Sequence, residues 1–334
     1  VLGYAPGIMV RARIIGTGSY APEQILTNDD LSKRIETSDE WIQTRTGIRE
    51  RHIAREDEQT SDMAVAAARR ALEMAGKTPA DLDLIIVGTI SGDMPMPSCA
   101  AFVQAKLGSR APAFDVSAAC AGSIYGLAIA DKFIRTGAAK CALVIGVELL
   151  SRILDWEDRN TCVLFGDAAG AMIVGPETEE GKGVLSTHLH ADGTLTDILK
   201  IPGGGSLFPV THDMVEQRLQ FVKMNGREVY KVAVRSLTDV VNEALAANGF
   251  TTADVDHVVP HQANIRIVDT VLERLAIPKE KAILNIDRYG NTSSASVPTT
   301  LDEGVRSGRI QSGDLVAMMA IGAGMTWGGA LIRW

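Results

Sequence analysis

Along this chain, short all-apolar runs alternate with longer stretches in which apolar residues recur every three or four positions. Leu84–Gly88 (L-I-I-V-G) and Ala113–Val116 are runs of the first kind. Cys141–Val147, Ala169–Val174, His257–Pro260 and Leu315–Ala320 belong with them. Such runs, bounded by turn residues, predict strands buried on both faces. Arg11–Gly18, Gly183–His190, Ala282–Ile286 and Gly329–Trp334 complete the expected strands. Helices are predicted over Thr60–Ala75, Ala121–Thr136, Val229–Asn248, Ile265–Leu275 and roughly 296–307. Gly76 and Gly137 close the first two as C-caps. The Ala121–Thr136 segment is apolar on nearly all sides, which predicts a helix enclosed by other layers. Pro298 marks a first turn or a kink. Strand–helix alternation of this kind predicts an α/β fold with covered sheets.

The pattern occurs twice. A-L-E-M-A-G-K-T-P-A-D-L-D-L-I-I-V at 71–87 is echoed by A-L-A-A-N-G-F-T-T-A-D-V-D-H-V-V-P at 244–260, 173 positions later. F-I-R-T-G at 133–137 is echoed by G-V-R-S-G at 304–308, 171 positions later. Two halves are expected, 9–182 and 183–334, with Glu148–Asp167 a polar insertion in the first alone. The register of 171 sets Asn291 opposite Cys120. The order fits two stacked halves in a five-layer α/β/α/β/α sandwich, although alternation alone does not dictate that layering.

Composition narrows the function classes. With 334 residues, 46% hydrophobic and 22% charged, the chain can bury a large core. Its net charge of −8 argues against non-specific nucleic-acid binding, which needs a basic footprint. No run of 18 apolar residues and no signal-peptide pattern is present, so a soluble cytoplasmic protein is expected, with its natural start at Met9. Cys99, Cys120, Cys141 and Cys162 are too far apart for a C-x-x-C metal or redox motif.

G-T-G at 16–18 lacks the third glycine and the helix of a dinucleotide fingerprint. I-P-G-G-G-S at 201–206 lacks the G-K-[ST] of a phosphate loop and reads as a flexible loop. His188 and His190 alternate on a strand without a third ligand nearby.

Three residues are candidates for chemistry. Cys120, in D-V-S-A-A-C-A-G-S, stands at the start of the buried helix, where the dipole is expected to lower its pKa. The ordinary alternative is a small buried hydrophobe. His261, in V-V-P-H-Q-A-N, follows a strand at the rim where open α/β sheets bind ligands, and a lone histidine is equally a structural residue. Asn291, in Y-G-N-T-S-S, is a donor or a common turn residue. Together they supply a nucleophile and two neutral donors able to hold an enolate oxygen, provided the histidine is uncharged. I-G-A-G-M-T-W-G at 321–328 is a tight turn whose N–H groups, with that of Cys120, could form an oxyanion hole.

At D-V-S-A-A-C-A-G, H-Q-A-N-I-R-I, G-N-T-S-S-A-S-V-P and G-A-G-M-T-W-G the chain resembles the β-ketoacyl-acyl-carrier-protein synthase III family, of the thiolase superfamily. R-T-G-I-R-E-R-H at 45–52 and L-F-G-D-A-A-G-A at 164–171 fit as well, in one colinear order from Arg11 to Trp334. The resemblance implies the duplicated thiolase-like fold. It implies that Cys120 takes an acyl group from acyl-CoA, with acetyl-CoA the expected primer. Malonyl-acyl carrier protein then loses CO₂, His261 and Asn291 hold the enolate, and a Claisen condensation yields 3-oxoacyl-carrier protein, initiating fatty acid synthesis. Acyl-CoA is a substrate here, and no metal or other cofactor is implied.

By the same resemblance, Cys120 and Ala323 form the oxyanion hole, although glycine is usual at the second position. Thr37, Trp41, Arg45, Arg159, Gly226 and Asn264 bind CoA. Lys231 and Arg266 receive the acidic carrier protein. Met96 reaches across a homodimer to limit the acyl pocket, and Ile321 belongs to that pocket too, replacing a phenylalanine beneath His261 and Asn291. A degradative thiolase would need a second cysteine near the C-terminal turn, and an elongating ketosynthase a second histidine where Asn291 stands. A plant-type polyketide synthase would end in a G-P-G-type turn. The remaining enzymatic alternative is a related condensing enzyme or acyltransferase of secondary metabolism. A non-catalytic scaffold would have lost one of the three candidate residues.

Overall fold

Two sheets with the same strand order carry the molecule. The computed structural model describes residues 10–334. Residues 1–9, with the expected start at Met9, lie outside the described residues. The first sheet comprises β1 (Arg11–Tyr20), β2 (Leu84–Gly88), β3 (Ala113–Val116), β4 (Ala142–Glu148) and β5 (Ala168–Glu177), ordered β1-β5-β4-β2-β3. The second comprises β6 (Gly183–Ala191), β7 (His257–Pro260), β8 (Leu315–Gly322) and β9 (Thr326–Arg333), ordered β6-β9-β8-β7. A single parallel bridge, Val258 to Ala282, stands where the first sheet has β3. The strand expected over Ala282–Ile286 is reduced to that bridge.

The sequence echo at A-D-[LV]-D is a structural echo. Pro79–Asp81 and Thr252–Asp254 are matching 3₁₀ turns, each with a Thr–Asp capping box, and each leads into an inner strand.

Five helices match the predicted ones within a few residues, and helix α1 (Asp39–Thr46) was not anticipated. Helices α3 (Gly122–Arg135) and α6 (Ser296–Arg306) form the middle layer. Ile124 and Leu127 of α3 and Val297 and Leu301 of α6 share one core with Ile86 and Val144 from one sheet and Val316 and Met318 from the other. The alternate residues Ile85, Val87, Leu143 and Ile145 face outward against α2 (Thr60–Ala75) and the Cys99–Leu107 helix. Helices α4 (Gly226–Ala247) and α5 (Ile265–Leu275) cover the outer face of the second sheet through Val234, Leu237, Val268 and Leu272. Period-two side chains buried on both faces explain the unbroken apolar runs in the sequence. The result is the five-layer α/β/α/β/α sandwich. Pro298 sits in the first turn of α6, where its missing N–H costs nothing.

The G-T-G segment serves packing. A Cβ on Gly16 or Gly18 would lie 2.4 or 2.3 Å from the backbone oxygens of Ala71 or Ala67 in α2. These glycines let a helix approach β1 closely.

The inferred register between the halves needs one correction at the central turns. Ala119 and Ser293 are both non-glycine residues with positive φ, 44° and 50°. The helices that follow start at Gly122 and Ser296. Both pairs are 174 positions apart, so Cys120 is matched by Ser294, and Asn291 lies three residues upstream of that match. The F-I-R-T-G echo came from the far ends of these helices, and α6, with 11 residues, is three shorter than α3, with 14.

Candidate active site

Cys120 occupies the turn Ala119–Ala121, between β3 and α3, with its side chain buried. The left-handed backbone of Ala119 precedes it. The Thr326 hydroxyl pins the turn by donating to the Ala118 carbonyl at 2.8 Å. Burial pushes the thiol up to about 12, a hydrogen bond from the Ser293 hydroxyl works against this, and the nearby Glu148 carboxylate adds to it. The expectation of a thiol lowered by the helix dipole is therefore corrected: loss of water around sulfur outweighs the helix end.

His261 follows β7 directly, and its N–H donates to the Met319 carbonyl at 2.7 Å. Its ring is 2% exposed, Nδ1 has no partner, and burial pushes its pKa down to about 4. The imidazole is accordingly neutral near pH 7, as the enolate-holding role requires. The next residue, Gln262, is fully buried and braces this segment. Its Oε1 accepts from the Asn285 and Ile286 N–H groups at 2.9 and 3.0 Å, and its Nε2 donates to Thr300 Oγ1 at 2.8 Å.

Asn291 is tied at both backbone polar groups, donating to the Leu164 carbonyl at 2.8 Å and accepting from the Gly166 N–H at 3.0 Å. Its Oδ1 accepts the Ser293 N–H at 2.9 Å, which fixes the amide so that Nδ2 remains the donor end.

Cys120, His261 and Asn291 line one cavity of about 110 Å³, together with Ile321 and Gly322. A second, apolar cavity of about 240 Å³ also reaches Cys120, lined by Ile90, Leu150, Phe165, Val222, Ser293 and Ala323. Ile321 thus belongs with His261 and Asn291, not with this second cavity. The positive φ that the turn after β8 requires falls on Gly324, at 119°, and Ala323 is not among the positive-φ residues. An alanine is therefore accommodated there without strain.

An outer cavity of about 760 Å³ opens at Trp41, Arg45, Arg159 and Arg266. It shares Leu164, Met224, Gly226, Tyr230 and Asn264 with the cavity over Cys120, so the two form a path from the surface to the thiol. Two guanidinium groups lie over the Trp41 ring, Arg45 at 4.7 Å and Arg159 at 4.9 Å from its centre. The Arg159 side chain also donates to the Glu36 carbonyl at 2.8 Å. Asn264 caps α5 through Oδ1 and ties it to α1 by donating to the Arg45 carbonyl at 3.0 Å.

The other candidate residues are placed as follows. Thr37 is half-buried with an unpartnered hydroxyl and lies outside the cavity linings. Lys231, on α4, pairs with Glu228 at 2.8 Å, and exposed Arg266 stands in the first turn of α5. The two helices are joined by a 2.8 Å bond between Tyr230 and Thr270. Met96 is 84% exposed and lines neither cavity at Cys120.

Sequence reasoning missed Glu148 and the hydroxyl of Ser293. Glu148 ends β4, is fully buried, and is pushed up to about 7 by that burial. The available signal was an acidic residue closing an all-apolar strand, A-L-V-I-G-V-E.

Two family models match this chain: "3-Oxoacyl-[acyl-carrier-protein (ACP)] synthase III" over residues 114–193 and its "C terminal" counterpart over 245–334. Beta-ketoacyl-acyl-carrier-protein synthase III of Xanthomonas campestris pv. campestris is 52% identical over 326 residues, covering 97% of this chain and 99% of the relative. The chain belongs to the β-ketoacyl-acyl-carrier-protein synthase III family. Among solved structures, 3-oxoacyl-acyl-carrier-protein synthase III from Aquifex aeolicus VF5 superposes with a TM-score of 0.90 at 48% identity, covering 97% of this chain and 100% of that one. The priming beta-ketosynthase of the R1128 polyketide biosynthetic pathway superposes with a TM-score of 0.90 at 37% identity, covering 99% and 98%. The thiol of this synthase III stands where the path from the surface and a second, apolar cavity both reach Cys120. None of its helices among the described residues is long and apolar enough to cross a membrane.

Proposed function

We propose that this synthase III condenses an acyl-CoA with malonyl-acyl carrier protein to give 3-oxoacyl-carrier protein, CO₂ and free CoA, at the start of fatty acid synthesis. The observation that carries the reading is the position of Cys120, between a path that a pantetheine arm can follow and an apolar cavity that can take an acyl chain.

In the first half-reaction the Cys120 sulfur attacks the acyl carbon and CoA leaves along the path past Asn264 and Gly226. The Cys120 and Ala323 N–H groups are assigned to the oxyanion. The acyl chain lies in the cavity lined by Ile90, Leu150 and Phe165. In the second half-reaction the malonyl thioester loses CO₂. Neutral His261 and the Asn291 amide hold the enolate oxygen, and the enolate carbon attacks the acyl thioester to release Cys120. Preorganised neutral donors in a dry site favour the enolate over its carboxylate precursor.

Trp41, Arg45 and Arg159, together with Thr37, are assigned to the CoA nucleotide. Lys231 and Arg266 are assigned to the acidic carrier protein, whose sign they complement despite the net negative charge. A cytoplasmic homodimer is the expected state, in which exposed Met96 would meet the partner. Priming of a polyketide pathway is the weaker reading, since the relatives at 52% identity are named as beta-ketoacyl-acyl-carrier-protein synthases.

The test is acyl transfer from radiolabelled acyl-CoAs of graded length, with malonyl-carrier protein as acceptor. Label on Cys120 followed by label in a 3-oxoacyl product supports the proposal. A protein that takes no label from any acyl-CoA ends it.

A further inference from the structure

Ser293 stands between the Cys120 thiol and a carboxylate with no route to solvent. The Ser293 hydroxyl donates to Glu148 Oε1 at 3.1 Å, and its turn packs against the Ala119–Ala121 turn, where the hydroxyl favours the ionised form of the Cys120 thiol. Ser293 and Cys120 line the same cavity. The other carboxylate oxygen, Glu148 Oε2, is already engaged by the Ser91 hydroxyl at 2.5 Å, the Ile90 N–H at 3.2 Å and the Thr89 hydroxyl at 3.2 Å. The left-handed φ of Ser293, 50°, is a conformation a non-glycine residue holds only where its surroundings dictate it. One hydroxyl therefore has two arrangements: donating to Glu148 while accepting from the thiol, or donating to the thiolate while accepting from a protonated Glu148.

We propose that Ser293 relays the Cys120 proton to Glu148 during acyl uptake, Ser293 acting as a catalytic residue at the thiol and Glu148 as the positioning residue that acts through it. This deepens the synthase reading and rests on it for the identity of the acyl donor. The Cys120 proton moves to Ser293 Oγ as Ser293 passes its own to Glu148 Oε1. The freed sulfur electron pair bonds the acyl carbon, the bond from that carbon to the CoA sulfur breaks with its pair, and the proton returns by the same hydroxyl to the departing sulfur. Thiol plus thioester gives thioester plus thiol, with Glu148 ionised again.

The alternative acceptor is His261, and basicity decides against it. Burial raises Glu148 to about 7 and lowers His261 to about 4. The two shifts run in opposite directions, and they make Glu148 the better proton acceptor. The titratable groups that feel Glu148 are the thiols of Cys120 and Cys99, and Asp93 and Asp115 stand beside Cys99.

The experiment follows Cys120 alkylation by iodoacetamide against pH, and Cys120 acylation by acetyl-CoA, in the parent, Ser293→Ala and Glu148→Gln proteins, by peptide mass. The parent should show a rise in alkylation near pH 7 that both variants lose, and Ser293→Ala should acylate about 10²-fold more slowly. Condensation from enzyme acylated in advance should persist in Ser293→Ala, which keeps the N–H that orients Asn291. Mere removal of the carboxylate charge acts the other way, because that charge raises the thiol pKa and its loss would make Cys120 more reactive. Faster alkylation in Glu148→Gln, parent-like acylation in Ser293→Ala, or equal loss of both half-reactions overturns the relay. If Glu148→Gln does not fold, Ser293→Ala decides alone. A parent that shows the alkylation profile yet takes no acyl group ends the synthase reading and leaves the relay standing.

Discussion

Gly322 lies against Cys120 so closely that a Cβ built on it would meet the Cys120 backbone nitrogen at 2.4 Å. It would also meet the Ala119 Cβ at 3.0 Å. The obstruction is mostly backbone and cannot rotate away. Gly322→Ala should therefore push the nucleophile turn off the end of β8. Displacements of about 1 Å in a catalytic group cost on the order of 10²-fold in rate, and overpacking costs about 1–3 kcal/mol of stability. Acylation followed by intact mass, with a thermal melt alongside, checks this. A variant with parent-like acylation would show that the contact does not set the thiol's position.

Asn291→Ala should separate the half-reactions. The amide is held by the Ser293 N–H on one side and donates into the cavity on the other. Acyl transfer to Cys120 should stay within a few-fold of the parent, while condensation falls by ~10²–10³, the usual cost of one oxyanion donor. Equal loss in both steps, measured with labelled acyl-CoA and malonyl-carrier protein, would contradict the assigned role.

His261 makes stability depend on pH in a definite direction. Its folded pKa is depressed to about 4 by burial, against an ordinary value near 6.5. Between those values the unfolded chain binds a proton that the folded chain does not. Stability from this group is complete above about pH 6.5 and falls as pH drops toward 4, by at most about 1.4 kcal/mol per unit. Urea titrations of the parent and a folded His261→Asn variant should show a shallower acid slope in the variant. Identical slopes would mean that the ring titrates at an ordinary value.

Arg266→Glu should act on the carrier protein more than on acyl-CoA chemistry at Cys120. Arg266 is exposed at the start of α5, on the rim of the outer cavity. Charge reversal should raise the KM for malonyl-carrier protein at least tenfold, a rise that lessens with added salt. The acylation rate from acetyl-CoA should change far less. A KM that does not move would remove the docking assignment.

Much of the architecture was legible because burial on both faces leaves an unmistakable pattern. Runs such as Leu84–Gly88 and Leu315–Gly322 are strands that no solvent-facing position interrupts. The echo of 71–87 at 244–260 announced two related halves before any contact was known, and in the structure it contains the matching capping boxes at Thr78 and Thr251. The helix carrying Trp41 was not legible, because α1 is short and polar and has no apolar stripe to betray it. The register between the central turns was misjudged by three residues, since the echo used lies at the far ends of two helices that differ in length by three residues.

The sequence by itself determined the α/β class, the duplication, and the identity of Cys120, His261 and Asn291 as candidates, since strand burial and turn chemistry are local properties. Tertiary structure alone decided the protonation of the site. Water exclusion raises the Cys120 thiol and Glu148 and lowers His261, and exclusion depends on layers contributed from both halves. It also decided that Ser293 and Glu148, 145 positions apart, share a hydrogen bond beside the nucleophile. No spacing in the chain encodes that meeting, because it arises where the end of β4 and the turn before α6 pack across the middle layer.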